Sequence, residues 1–304
     1  MRMTTRNKGR FLLIFMVLIF SLSYSCVPKE AIHPQAKTAK IAVVLGAGAS
    51  RGFAHIGVLK VLEFNKIPVH MVVGTSAGSF VGSLYAYGFN AFQLQKMALS
   101  LEKSDIVDLA VPDNGFIKGE KLEEFVNLTV KNTPIEQFRI PFYAVATGVP
   151  DGEEVVFGKG NAGTAVRASC SIPGVFRPTK IAGRLYVDGG VVSPVAVDAA
   201  RRYGADIVIA VDISADLDTR PPEGTIDTIL QSINIMYSKL SAFQTFRADI
   251  VIKPKVGYIG SAEFEKRNEA IMEGEKATID AMPKLRQLIT KLIREGRLPE
   301  QAKD

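Results

Sequence analysis

The chain has 304 residues, 47% of them hydrophobic and 22% charged, which suits one large domain with a sizeable core and excludes a disordered polar chain. Its formal net charge of +6 owes much to residues 1–25, which carry four positive charges and no negative one, so the rest of the chain stands at +2. What remains holds no lysine and arginine cluster interleaved with aromatics to suggest nucleic acid, and two cysteines, Cys26 and Cys170, are too few for a disulfide framework.

Taken in chain order, the first feature is a basic stretch with Arg2, Arg6, Lys8 and Arg10, then an apolar run from Phe11 to Leu22, then Ser23-Tyr24-Ser25-Cys26. This is the outline of a secretory signal over residues 1–25, and its apolar run is shorter than the roughly 20 residues that span a bilayer. The segment resembles a bacterial lipoprotein signal, in which the cysteine is lipid-modified and becomes the first residue, although Ser23 stands where leucine is usual and Leu22 is displaced by one. The resemblance implies an exported protein of the bacterial cell envelope, held at the membrane surface through lipidated Cys26. Residues 26–39, with two prolines and little periodicity, read as a tether, and residues 40–304 as the folded domain.

From Lys40 onward, short β-rich runs alternate with amphipathic stretches, the pattern of a parallel sheet covered by helices. Strands are predicted at Ile41–Leu45, Val69–Val73, Phe142–Gly148, Leu185–Val187, Ile207–Ile213 and Ile250–Lys253. Helices are predicted at Phe53–Asn65, Ala77–Tyr87, Phe92–Leu101, Lys121–Lys131, Ala196–Tyr203 and Ile226–Phe246, with a long C-terminal one from Glu263 to Arg294 that Pro283 is expected to break or kink. Asp105–Gly119 lacks periodicity and reads either as a loop or lid near a site or as a plain surface connection. Without repeats or a second linker, the expectation is one α/β domain of three layers, α/β/α, with a mostly parallel central sheet.

Three constellations carry chemistry. Gly46-Ala47-Gly48-Ala49-Ser50-Arg51-Gly52 joins a strand to a helix, and such a turn presents successive backbone N–H groups to an oxyanion or a phosphate. Its spacing is not the dinucleotide-binding G-x-G-x-x-G, and the second strand ends without the acid that would hold a ribose, which weakens the nucleotide reading. Val72-Val73-Gly74-Thr75-Ser76-Ala77-Gly78 is a G-x-S-x-G turn between strand and helix, the context of a nucleophile elbow, with Gly74 and Gly78 as its small flanks. Leu185-Tyr186-Val187-Asp188-Gly189-Gly190 ends a strand on an acid followed by two glycines.

A serine nucleophile needs a base. His33, His55 and His70 all precede Ser76, which rules out a triad in the α/β-hydrolase order of serine, acid, histidine. His33 lies in the tether, His55 inside a helix and His70 inside an apolar strand. Asp188 is therefore the leading candidate for the base, with Asp212 at the end of its strand as the competitor. Cys170, in a run of small residues, reads as a packed thiol rather than a nucleophile.

In this order the three blocks, with the intervening Ala168-Ser169-Cys170-Ser171-Ile172-Pro173-Gly174-Val175-Phe176-Arg177-Pro178 and the stretch Asp188-Gly189-Gly190-Val191-Val192-Ser193-Pro194-Val195, resemble the patatin-like phospholipase family over roughly residues 40–281. The resemblance implies that Ser76 is the nucleophile and Asp188 the base, and that Gly48 and Ala49 offer oxyanion N–H groups with Arg51 and Gly52 completing the turn. Ala47 and Ala49 replace two glycines of the family's pattern, and alanine does not take a positive φ easily. Arg51 either fixes the turn or meets a lipid phosphate. The implied activity is hydrolysis of lipid acyl esters through an acyl-Ser76 intermediate, with no metal or organic cofactor. The rival is a catalytically silent lipoprotein that binds acyl chains in the same pocket.

Overall fold

The computed structural model describes residues 37–109, 115–216 and 221–299. The expected signal, Cys26, His33 and most of the tether lie outside the described residues. Among those described, no helix is long and apolar enough to cross a membrane.

In chain order the elements are β1 (Ile41–Leu45), α1 (Phe53–Phe64), β2 (Met71–Thr75), α2 (Ala77–Tyr87), α3 (Ala91–Ser100), α4 (Lys103–Ile106), α5 (Glu120–Thr129), β3 (Phe142–Gly148), β4 (Glu154–Phe157), α6 (Ala162–Ser169), β5 (Thr179–Ile181), β6 (Arg184–Asp188), α7 (Val197–Arg202), β7 (Ile207–Val211), α8 (Thr225–Thr245), β8 (Ile250–Ile252) and α9 (Arg267–Arg294). The sheet order is β5-β6-β3-β2-β1-β7-β8, with β4 beside β3. Pairings among β3, β2, β1, β7 and β8 are parallel, whereas β4 and β6 run antiparallel to β3, and β5 to β6. The mostly parallel, three-layer reading therefore holds.

Both faces of the central strands are buried, as expected where helices cover a parallel sheet. Alternation sends Ile41, Val43 and Leu45 of β1 into a core shared with α1, α2 and α9, and Ala42 and Val44 into one shared with α7. Of the break or kink expected at Pro283, the break does not occur, and the C-terminal helix is continuous through the proline. Its buried stripe, including Gly274, Thr278, Met282, Leu285 and Ile289, continues on both sides of the proline, whose ring faces solvent, so packing on α1 holds the helix across the missing N–H. The second strand sits two residues later than predicted, at Met71–Thr75, and α4, α6, β4 and β5 are additions to the predicted set.

The register of β3 positions the site. Val145 pairs with Thr75 of β2, and the next residue, Ala146, pairs with Asp188 of β6. Strand β4 pairs across Ala144–Thr147 and overlaps both partners, so β2 and β6 share the other edge of β3, end to end. The residue that follows β2 and the residue that closes β6 are brought together by backbone pairing alone.

Candidate active site

Ser76 is the residue between β2 and α2, with φ 54° and ψ −124°. A non-glycine residue in this region stores roughly 1–3 kcal/mol of strain, held by the surrounding packing. Three contacts hold it: the Ser76 N–H donates to Ser169 Oγ at 2.9 Å, Ser169 Oγ donates to Val145 O at 2.5 Å, and the Ser76 carbonyl accepts from Ser79 Oγ at 2.7 Å. Gly78 shows why the flank must be small, since a Cβ there would lie 2.0 Å from the Leu45 carbonyl oxygen. The turn packs α2 directly against the end of β1, with the positive end of the helix beside Ser76.

The Ser76 hydroxyl donates to Asp188 Oδ2 at 2.5 Å. Asp188 is fully buried, its Oδ1 accepts from the Gly190 N–H at 2.7 Å, and its backbone is pinned by Ser171 O and Thr147 Oγ1. Burial raises its carboxyl from 3.8 to about 6, against the lowering effect of bonds from Ser76 and Gly190 and of the facing Tyr237 hydroxyl. At pH 7 the group is mostly ionised and more basic than an exposed aspartate, the condition a general base needs.

The competing candidates point elsewhere. Asp212 pairs with Lys253 at 3.2 Å and accepts from the Ser214 N–H at 3.0 Å. His55 Nε2 donates to Gly46 O at 2.8 Å in the interior, and burial lowers its pKa to about 4. His70 Nδ1 accepts from the Ile41 N–H at 3.1 Å beside the sheet. Neither described histidine is bonded to Ser76.

In the glycine-rich turn, the N–H groups of Gly46, Ala47, Ser50 and Arg51 reach Val211 O, Pro194 O, Ser261 O and Gly48 O. Those of Gly48 and Ala49 meet no acceptor among the described residues. Ala49 takes φ 50°, so the alanine adopts the left-handed conformation that a glycine would take without strain. Arg51 is part of the frame of the turn, the first of its two expected roles: its N–H closes on Gly48 O, and its buried guanidinium donates to Ile213 O, Ile259 O and Asn234 Oδ1 at 2.9–3.1 Å. Burial lowers its pKa to about 10, with Asp216 and Asp212 opposing. Gly52 sits against Ala77, where a Cβ would approach the alanine's own to 2.6 Å.

Ser76 opens into a cavity of about 340 Å³. Ala49, Ser50 and Gly52 line it beside the serine, and Phe80, Leu84, Leu94, Met97, Leu122 and Phe125 give it apolar walls. Among the described lining residues only Lys103 is charged. Ile106, Val107 and Ile117 also line it, so the aperiodic segment is a wall of the cavity and not a plain surface connection, residues 110–114 lying outside the described part. Asp108 anchors that wall by accepting from the Gly119 and Glu120 N–H groups at 2.7 and 3.0 Å. Cys170 is a free buried thiol that also lines the cavity, with Sγ 3.8 Å from Ser79 Oγ and its pKa pushed up by burial and by Asp188. A thiol so held is a poor nucleophile. Among the described residues no group of three or more His, Cys, Asp or Glu is placed to hold a metal ion.

Reading from sequence missed Ser169, Tyr237 and the apolar walls. Ser169 lies in the quoted small-residue run, but nothing in the run shows that its hydroxyl meets Ser76. Tyr237 belongs to a stripe of residues four apart, Ile233, Tyr237, Ser241 and Thr245, which marks the buried side of α8 without naming what it faces.

A family model described as patatin-like phospholipase matches residues 43–201, just over half of the chain. The chain is 36% identical over 178 residues to an uncharacterized NTE family protein of Mycobacterium bovis, a match covering 58% of this chain and 49% of that protein. It is 28% identical over 294 residues to Lysophospholipase NTE1 of Pyricularia oryzae, covering 85% of this chain and 19% of that one. It is 35% identical over 187 residues to patatin-like phospholipase domain-containing protein 6 of Mus musculus, covering 59% of this chain and 14% of that one. The chain thus spans about half the length of the mycobacterial relative and less than a fifth of the other two. Among solved structures, VipD from Legionella pneumophila shares the fold at a TM-score of 0.57 and 12% identity, over 82% of this chain and 67% of that one.

Proposed function

The chain belongs to the patatin-like phospholipase family, and from this we propose that it is a lipid acyl-ester hydrolase working through a Ser76–Asp188 dyad. The observation that carries the reading is the 2.5 Å bond from the Ser76 hydroxyl to a buried carboxylate, at the wall of an apolar cavity.

The chemistry runs in two halves. As Ser76 Oγ attacks the ester carbonyl, its proton passes to Asp188 and negative charge develops on the carbonyl oxygen. The Gly48 and Ala49 N–H groups receive that oxyanion, a contribution of about 3–4 kcal/mol for a well-aimed donor. Collapse expels the alcohol, which takes the proton from Asp188, and leaves the acyl chain on Ser76 and in the apolar cavity. Asp188 then accepts a proton from water, the hydroxide attacks the acyl carbon, and the proton returns to Ser76 as the fatty acid leaves. The apolar walls supply the substrate preference, since burying each methylene of an acyl chain contributes about 0.8 kcal/mol. Export and attachment at a membrane through lipidated Cys26 complete the reading, supported by the N-terminal sequence pattern.

Mass spectrometry of products from a mixed lipid extract tests it. Wild type should release fatty acids and the matching deacylated lipids, and Ser76→Ala should release neither. Equal release by both proteins would overturn the reading.

A further inference from the structure

In a dyad no imidazole stands between the serine and the acid, so the acid itself must be held in line. Asp188 Oδ2 takes the Ser76 hydroxyl and Oδ1 the Gly190 N–H, which leaves each carboxylate oxygen able to accept a second bond. Opposite it stands Tyr237, 5% exposed, delivered by the buried stripe of α8 and packed with Ala47 and Ile233. Its ring lies on Gly190, where a Cβ would come within 2.3 Å of Tyr237 Cζ. The second glycine of the D-G-G turn is thus the space into which the phenol fits. The Tyr237 hydroxyl is buried, makes no well-formed hydrogen bond among the described residues, and faces the Asp188 carboxylate. A buried hydroxyl without a partner is costly unless something requires it there. Helix α8 is also clamped to the turn, since Gln244 donates to Val192 O at 2.9 Å and accepts from the Val195 N–H at 3.0 Å.

We propose that Tyr237 is the positioning residue of the base, donating its hydroxyl to the Asp188 carboxylate and keeping that carboxylate aimed at Ser76 in its proton-accepting form. The bond tightens as Ser76 turns toward substrate and its own donation to Oδ2 weakens. The titratable groups facing Asp188 are Tyr237 from α8 and Cys170 from the end of α6, both kept neutral by burial, while β3 contributes the hydroxyl of Thr147 and the start of α2 that of Ser76. Burial works to protonate Asp188, and Tyr237 works against it.

The inference rests on the Ser76–Asp188 reading, and its test separates the two. The kcat/KM for p-nitrophenyl butyrate is measured from pH 5 to 9 for wild type, Tyr237→Phe and Tyr237→Leu, each normalised to Ser76 titrated with a fluorophosphonate at pH 8, and for Asp188→Asn, normalised to the concentration of folded protein. Loss of a donor to a carboxylate raises its pKa by about one unit, so the acid limb of both Tyr237 variants should move up by about that much. From a wild-type limb near 6, this is about a five-fold loss at pH 6 that is nearly recovered at pH 8. A loss equal at every pH, or an unmoved limb, overturns the inference while an inactive Asp188→Asn leaves the dyad standing. Turnover by Asp188→Asn near the wild-type rate removes the dyad, and the inference with it.

Discussion

Replacing Asp188 by asparagine should stabilise the protein while it silences the site. A carboxyl whose pKa rises from 3.8 unfolded to about 6 folded is held more tightly protonated by the folded state, so stability falls as pH climbs through that window. Below pH 3.8 the group is neutral in both states and costs nothing; above about 6 the full cost is present. A shift of roughly two units amounts to about 3 kcal/mol at pH 8, and to about half of that at pH 5. Asparagine carries no charge to desolvate, and its amide oxygen can still accept from the Gly190 N–H. Its NH₂ faces the Ser76 hydroxyl, which must turn to accept, and this trims the gain to about 1–3 kcal/mol at pH 8. Urea unfolding of wild type and Asp188→Asn at pH 8 and pH 5 measures it, alongside kcat, which should fall by about 10²–10⁴. An asparagine variant less stable than wild type at pH 8, or a gain that grows toward pH 5, would refute the burial argument.

Other expectations follow from neighbouring parts of the structure. Gly78→Ala would force a Cβ to 2.0 Å from the backbone oxygen of Leu45 and should lower unfolding free energy by about 3 kcal/mol or more, read from the urea midpoint. A variant with His33, His55 and His70 all replaced by Gln should retain at least about a tenth of kcat once folding is confirmed by melting, far from the loss a missing base produces. Cys26→Ser should move the protein out of the membrane fraction or leave it unprocessed, and mass analysis of wild type should find acyl groups on Cys26.

The parts of the site legible in sequence are those in which local backbone and chemistry coincide. The elbow at Ser76 needs a strand, a small-flanked serine and a helix in immediate succession, and the buried acid at Asp188 needs a strand end and two residues without Cβ; both show in a dozen letters. What stayed hidden depends on distant chain. Tyr237 reaches Asp188 only because α8 returns over the turn, Ser169 reaches Ser76 only because α6 packs beside β3, and Arg51 spends its guanidinium on the carbonyls of Ile213 and Ile259. Strand β5, three residues long, and helix α6, eight residues long, are too short for a periodic pattern to stand out. Pro283 misleads in the opposite sense, because a local helix breaker is outweighed by a buried stripe running on both sides of it.

On the proposed mechanism, catalysis passes through a covalent acyl-Ser76 intermediate formed with Asp188 as the base. Its most direct measurement is rapid quench of the enzyme with a slowly hydrolysed acyl ester, followed by intact-mass analysis and peptide mapping. Wild type should carry one acyl group on the peptide containing Ser76, with its formation slowed by about 10²–10⁴ in Asp188→Asn. An acyl group mapped to Cys170 or elsewhere, or continued turnover with no acyl-enzyme, would contradict it.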